Sequence, residues 1–165
     1  MQAQGEFALI EQKLKPALEL SGQPVKRGTM AHEHVMYMIM VDSAGLVRDE
    51  AAIRRYAPVL EELARRDDHR PYLAIAHRAW GIAHRLAGEY DAAETCLVQA
   101  LEVFAELESR WQLGRSLLEL GELEQARSNP AAARDYCSKA LAAFEAVQAM
   151  PDAARTRAML RSLGG

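Results

Sequence analysis

Apolar residues recur at intervals of three and four along nearly the whole chain, and nowhere do they alternate in twos. That period places them on single faces of helices and argues against strands. The pattern is clearest over residues 73–107, LAIAHRAWGIAHRLAGEYDAAETCLVQALEVFAEL, which reads as two helices around the turn Leu86-Ala87-Gly88-Glu89-Tyr90. Ala93, Leu97, Ala100, Leu101 and Phe104 form one stripe on the second helix. A lone hairpin cannot bury such a stripe, so it needs similar neighbours. Breaker residues mark where they are. The spacing predicts helices over about 6–20, ended by Ser21-Gly22-Gln23-Pro24, and over 26–44, with Gly45 as a left-handed stop. A third follows the cap Asp49 over 50–66, and Pro71 opens the fourth. After the hairpin come a sixth over 111–126, a seventh from Asn129-Pro130 to about 148, and a short eighth from Met150-Pro151-Asp152 to 163.

These helices repeat. Leu18, Leu60, Leu101 and Leu141 stand 42, 41 and 40 residues apart. Eight residues before each lies Ile10, Ala52, Ala93 or Ala133, and four before lies Leu14, Tyr56, Leu97 or Cys137. In the turn before them stand Gly5, Val47, Gly88 and Ser128, and in the preceding helix Met40, Gly81 and Gly121. A common period of this kind signals an array in which each hairpin covers the next. The small residues let the two helices of a hairpin approach closely, while Leu97 and Leu101 fill the space between hairpins.

The pattern resembles the tetratricopeptide repeat family. Gly81, Gly88, Tyr90, Ala93, Ala100 and Leu101 carry the resemblance in one unit, and Gly121, Pro130, Ala133, Ala140 and Leu141 in the next. The period of 40 to 42 exceeds the family's usual 34 and is similar to that of repeats in bacterial signalling ATPases, cyclases and MalT-like activators. The resemblance implies an all-α, right-handed α-α superhelix of antiparallel hairpins with about eight helices. Its units are approximately 5–22 (half a repeat), 26–68, 71–108, 110–149 and a terminal helix at 151–163.

The resemblance also implies that the first helix of each hairpin lines a concave groove. The matching positions are Tyr37, Val41, Ile75, Arg78, Ile82, Arg85, Arg115, Leu118, Glu122, Gln125 and Arg155. Four arginines over an apolar floor suit a peptide or protein partner of acidic and hydrophobic character. Ile82 stands where chaperone-binding members place the asparagine of their carboxylate clamp, so chaperone tails are not the expected partner. The function implied is a non-catalytic interaction scaffold. The alternative is a ligand- or peptide-sensing or oligomerisation segment of a larger signalling or transcriptional regulator.

Composition narrows this further. Of 165 residues, 50% are hydrophobic and 26% charged, with a net charge of -3, which leaves no basic footprint for nucleic acid. The longest apolar run, residues 35–41, is too short to span a membrane, and residues 1–12 carry Glu6 and Glu11 and lack the features of a signal peptide. Two cysteines without a CxxC spacing suit a reduced, cytoplasmic setting, with Cys96 and Cys137 read as small core residues. His32, His34, His69, His77 and His84 match no zinc spacing, so neither metal nor other cofactor is expected. The acidic stretch 119–124 reads as a solvated helix face, and no catalytic constellation is found. An array with open ends can self-associate, so a homodimer through the 6–20 or 35–41 segments is a further expectation.

Overall fold

The computed structural model describes residues 8–16 and 30–164, the side chains of residues 30–32 excepted. Gly5, Leu18, the 21–24 break and the His32 side chain lie outside the described residues. Eight helices and no strand are found among the described ones: α1 (8–16), α2 (Met30–Leu46), α3 (Glu50–Arg66), α4 (Arg70–Leu86), α5 (Tyr90–Glu106), α6 (Arg110–Ala126), α7 (Pro130–Ala146) and α8 (Met150–Ser162). The helices from α2 to α7 are each 17 residues long, and three-residue linkers join them. From α2 onward each packs on the next, forming an all-α solenoid of antiparallel hairpins. No helix is long and apolar enough to cross a membrane among the described residues.

The cadence is set at the linkers. In all six the middle residue adopts a left-handed backbone: Arg48, Asp68, Gly88, Glu108, Ser128 and Gln148, with φ between 50° and 79°. The next residue's N–H then donates to a carbonyl five residues back, as from Asp49 to Ala44 (3.0 Å) and from His69 to Ala64 (2.8 Å). This hydrogen bond satisfies one of the carbonyls a helix end leaves open. Only Gly88 has the residue type that takes this conformation without cost. Gly45, expected to stop α2, instead lies inside it. A Cβ there would stand 3.2 Å from Ile82 Cδ1, so the glycine serves the approach of α4. Asp49 does cap α3 as expected, its Oδ1 accepting from the Ala52 N–H at 2.9 Å.

The linker spacing fixes the register at 40 residues per hairpin. The fully closed core slots on the second helices are Ile53/Ala93/Ala133, Ala57/Leu97/Cys137, Leu60/Ala100/Ala140 and Ala64/Phe104/Phe144, each no more than 1% exposed. Leu60 therefore matches Ala100 and Ala140 rather than Leu101 and Leu141. The latter two are half-buried and pack against the edges of the core clusters. On the first helices the slot of Gly81 and Gly121 belongs to Val41, not Met40. One residue of slip turns a helix face by about 100°, yet both candidates at each site were apolar, so spacing alone could not separate them. Cys137 fills its core slot as expected, while Cys96 is only half-buried.

Within hairpins, contact is steric and close. A Cβ on Gly81 would lie 2.5 Å from Leu97 Cγ and 3.1 Å from the Ala93 carbonyl oxygen. One on Gly121 would lie 2.7 Å from Cys137 Sγ. In α2/α3 the same slots hold Val41 and Ala57, so the bulk has moved to the opposite helix.

Candidate functional site

The first helices also touch one another: α2 packs on α4, and α4 on α6. The second helices α3, α5 and α7 make no comparable mutual contact among the described residues. An array bends toward the side on which its helices lie closer, so α2, α4 and α6 form the inner wall. This wall holds the residues that the sequence pointed to, except Arg155, which lies on α8 and reaches it through Glu122.

Their exposure divides them. Val41, Ile75, Ile82 and Leu118 are buried and pack between helices, leaving little of them to meet a partner. Arg78 is only 2% exposed. Tyr37, Arg85, Arg115 and Glu122 are partly open, while Gln125 and Arg155 are exposed. The arginines are moreover already engaged. Arg78 Nη2 donates to Asp42 Oδ1 (3.0 Å) and Arg115 Nη1 to Asp42 Oδ2 (2.6 Å), so one carboxylate joins α2, α4 and α6. Arg78 Nη1 donates to Gln112 Oε1 at 2.6 Å, and its guanidinium lies 5.4 Å from the Phe104 ring centroid.

Further along the wall, Glu119 and Glu122 gather three arginines. Arg48 donates to both (2.8 and 2.6 Å), Arg85 to both (3.2 and 2.7 Å), and Arg155 to Glu122 (2.8 Å). Glu119 and Glu124 are buried, which corrects the expectation of a solvated acidic face. The side of α6 carrying Glu119 and Glu122 faces α4 and the α2–α3 linker, so both carboxylates are needed to neutralise guanidinium groups there. Asp42, Arg48, Gln112 and Glu119 escaped the sequence reading because their partners stand 34 to 74 residues away, beyond any local pattern.

These pairings set the charge states. Burial works against ionised Asp42, but the pull of Arg78 and Arg115 outweighs it and holds the carboxyl below its ordinary value of 3.8. Glu119 behaves likewise, burial being overcome by Arg48 and Arg85. Arg78 is pushed down to about 10, chiefly by burial and then by repulsion from Arg115, and so stays charged at neutral pH. In these ion pairs five arginines share three carboxylates.

Two hollows open on this wall. One, of about 530 Å³, is lined by Arg85, Glu122, Gln125, Arg155, Met159 and Ser162 among others. The second, of about 500 Å³, lies between the starts of α4 and α6 and is mostly apolar. Elsewhere the chemistry-bearing residues serve packing. Burial pushes the Cys137 thiol up to about 11, with Glu122 adding to the effect, and its Sγ sits 3.6 Å from Met159 Sδ. His34 Nε2 lies 3.2 Å from the Leu63 carbonyl and 3.1 Å from Asp67. His77 is held below its ordinary value, mainly by burial. No group of three or more metal-ligating side chains occurs among the described residues.

Fold and wall together define an all-α helical-repeat protein whose repeats are tied by ion pairs along the inner wall. No family model and no curated protein matches the chain. Among solved structures it is similar to BtubC (BKLC) from P. vanneervenii, with a TM-score of 0.66 and 13% identity over 98% of this chain and 74% of that one. At that identity the likeness is one of fold.

Proposed function

We propose that the chain is a non-catalytic interaction scaffold, a long-repeat relative of the tetratricopeptide proteins, whose inner wall receives an acidic segment of a partner protein. The observation that carries this reading is the shared pairing: five arginines on three carboxylates along one wall of a protein whose net charge is -3. Arginines that share a carboxylate keep part of their charge uncompensated, and an acidic segment would complement it. The open members, Arg155 and Gln125, are where such a segment first meets the wall. Arg78 and Asp42 act beneath it by fixing the spacing of the repeats.

The test places a photo-crosslinking residue at Gln125 on the inner wall or at Glu102 on the exposed face of α5, in cells of the source organism. Crosslinks to a partner from Gln125, absent from Glu102 and lost on Arg155→Glu, support the scaffold. Equal crosslinking from both positions counts against it.

A further inference from the structure

The apolar cleft between the starts of α4 and α6 is built differently from the rest of the wall. Its sides are Met38, Tyr72, Ile75, Phe104, Leu107 and Trp111, and its polar corner is Asp42, Ser109 and Gln112. The volume of about 500 Å³ falls in the range of small-molecule sites, which combine an apolar lining with a few placed polar groups. Its aromatic walls are fixed before anything binds. Trp111 Nε1 donates to Asp152 at 2.9 Å, and the Arg115 guanidinium lies 4.9 Å from the Trp111 ring centroid. Phe104 is held in the same way under Arg78.

The polar corner selects the head group. Arg78 can only donate, so the Gln112 oxygen must face it, at 2.6 Å. The amide NH2 is thereby left as a donor that bonds no acceptor among the described residues. Both Asp42 oxygens are taken by arginines. Arg115 spends only Nη1 on Asp42, and the other carboxylate at the cleft, Asp152, is engaged by the Trp111 indole N–H. An ammonium group would meet a donor with donors there, and a purely apolar guest would leave the amide donor unpaired.

We propose that this cleft binds a small amphiphilic acid, with an aromatic or acyl body among Tyr72, Phe104 and Trp111 and a carboxylate accepting from the Gln112 amide. The site opens on the same wall but at the starts of α4 and α6, apart from Gln125 and Arg155 where the partner segment is proposed to land. It makes the scaffold responsive to a metabolite-sized ligand.

The experiment titrates the full chain with phenylbutyrate and with phenylbutylamine, followed by tryptophan fluorescence and by the indole N–H resonance of Trp111. Phenylbutyrate binds saturably, and the amine at least about tenfold more weakly, a difference of about 1.4 kcal/mol. Gln112→Glu keeps the oxygen that Arg78 needs and turns the donor into an anion, so it reverses this preference. Leu107→Glu, at the solvent-exposed rim, abolishes acid binding; a thermal melt checks that each variant is folded. Three outcomes of the titration overturn the proposal: no saturation by the acid up to about 5 mM, well above the roughly 1 mM at which binding is worth only about 4 kcal/mol; equal binding of the amine; or a preference unmoved by Gln112→Glu. A partner protein that crosslinks through Leu107→Cys and is not displaced by phenylbutyrate also overturns it, because the cleft then holds a partner's side chain.

Discussion

The hairpin interiors and the inner wall hold the array together by different physics. Inside α4/α5 a glycine faces a leucine, and inside α6/α7 a glycine faces a cysteine, with no charged side chain in those slots. Contact there depends on shape and is decided by a single methylene. Along the wall, neighbouring hairpins meet through Asp42, Glu119 and Glu122, each shared by two or three arginines. Apolar packing tolerates a swap of bulk between helices, as Val41 and Ala57 demonstrate. A shared carboxylate tolerates no such swap, because moving it strands two guanidinium groups at once. The hairpin is thus the adaptable unit, and the wall the part that specifies how units are set side by side.

The largest effect expected is at Leu97. Leu97→Ala should cost about 2–5 kcal/mol, as for other fully buried leucines, whereas Leu101→Ala, at a half-buried position, should cost less than half as much. Equal losses in thermal melts would restore the register in which Leu101 is the landmark. Gly81→Val alone should cost about 3 kcal/mol or more through overpacking. The double variant Gly81→Val, Leu97→Ala recreates the α2/α3 arrangement and should regain at least half of the larger single loss. Strict additivity would break the claim that the hairpins are interchangeable in shape.

On the wall, Asp42→Asn should cost about 3 kcal/mol, since it leaves buried Arg78 facing Arg115 without its counter-ion. The pH dependence has a definite sign. Because the folded carboxyl titrates below the ordinary 3.8, its contribution is complete above that value and disappears as the pH falls through the folded one. Melts between about pH 2 and 6 should therefore show an acid-side loss that is smaller in the asparagine variant. An unchanged acid profile would move the charge coupling elsewhere. The smallest effect is a gain. Gln148 sits at φ 56°, and its side chain makes no hydrogen bond among the described residues. Gln148→Gly should therefore stabilise by about 0.5–1 kcal/mol. In a chain of this size a stabilisation raises the melting temperature by about 2–4 °C per kcal/mol.

Much of the fold was legible because its signals are local. The three-and-four spacing, the Asp49 and Asn129 caps and the Pro71, Pro130 and Pro151 starts each act within one turn of helix. Gly81 and Gly121 were legible as close-packing positions, because a glycine inside a helix needs a steric reason. The exact register was not. Ala52 stands beside Ile53, Tyr56 beside Ala57 and Ala100 beside Leu101. Both members of each pair are apolar, and only packing tells which one turns inward. The left-handed linkers were also hidden at Arg48, Glu108, Ser128 and Gln148, where residue type gives no hint of the conformation.

The helices, their pairing into hairpins and the arginine-rich face of the first helices are all written in spacings of a few residues, so the chain alone specifies them. What that face is made of depends on stacking. Packing of the repeats closed Arg78, Ile82 and Leu118 into the wall, gave Asp42 two arginines and Glu122 three, and left a cleft beside Trp111. Those ion-pair partners lie 33 to 74 residues apart, and charge carries no periodicity over such distances, so they meet only once the repeats are stacked.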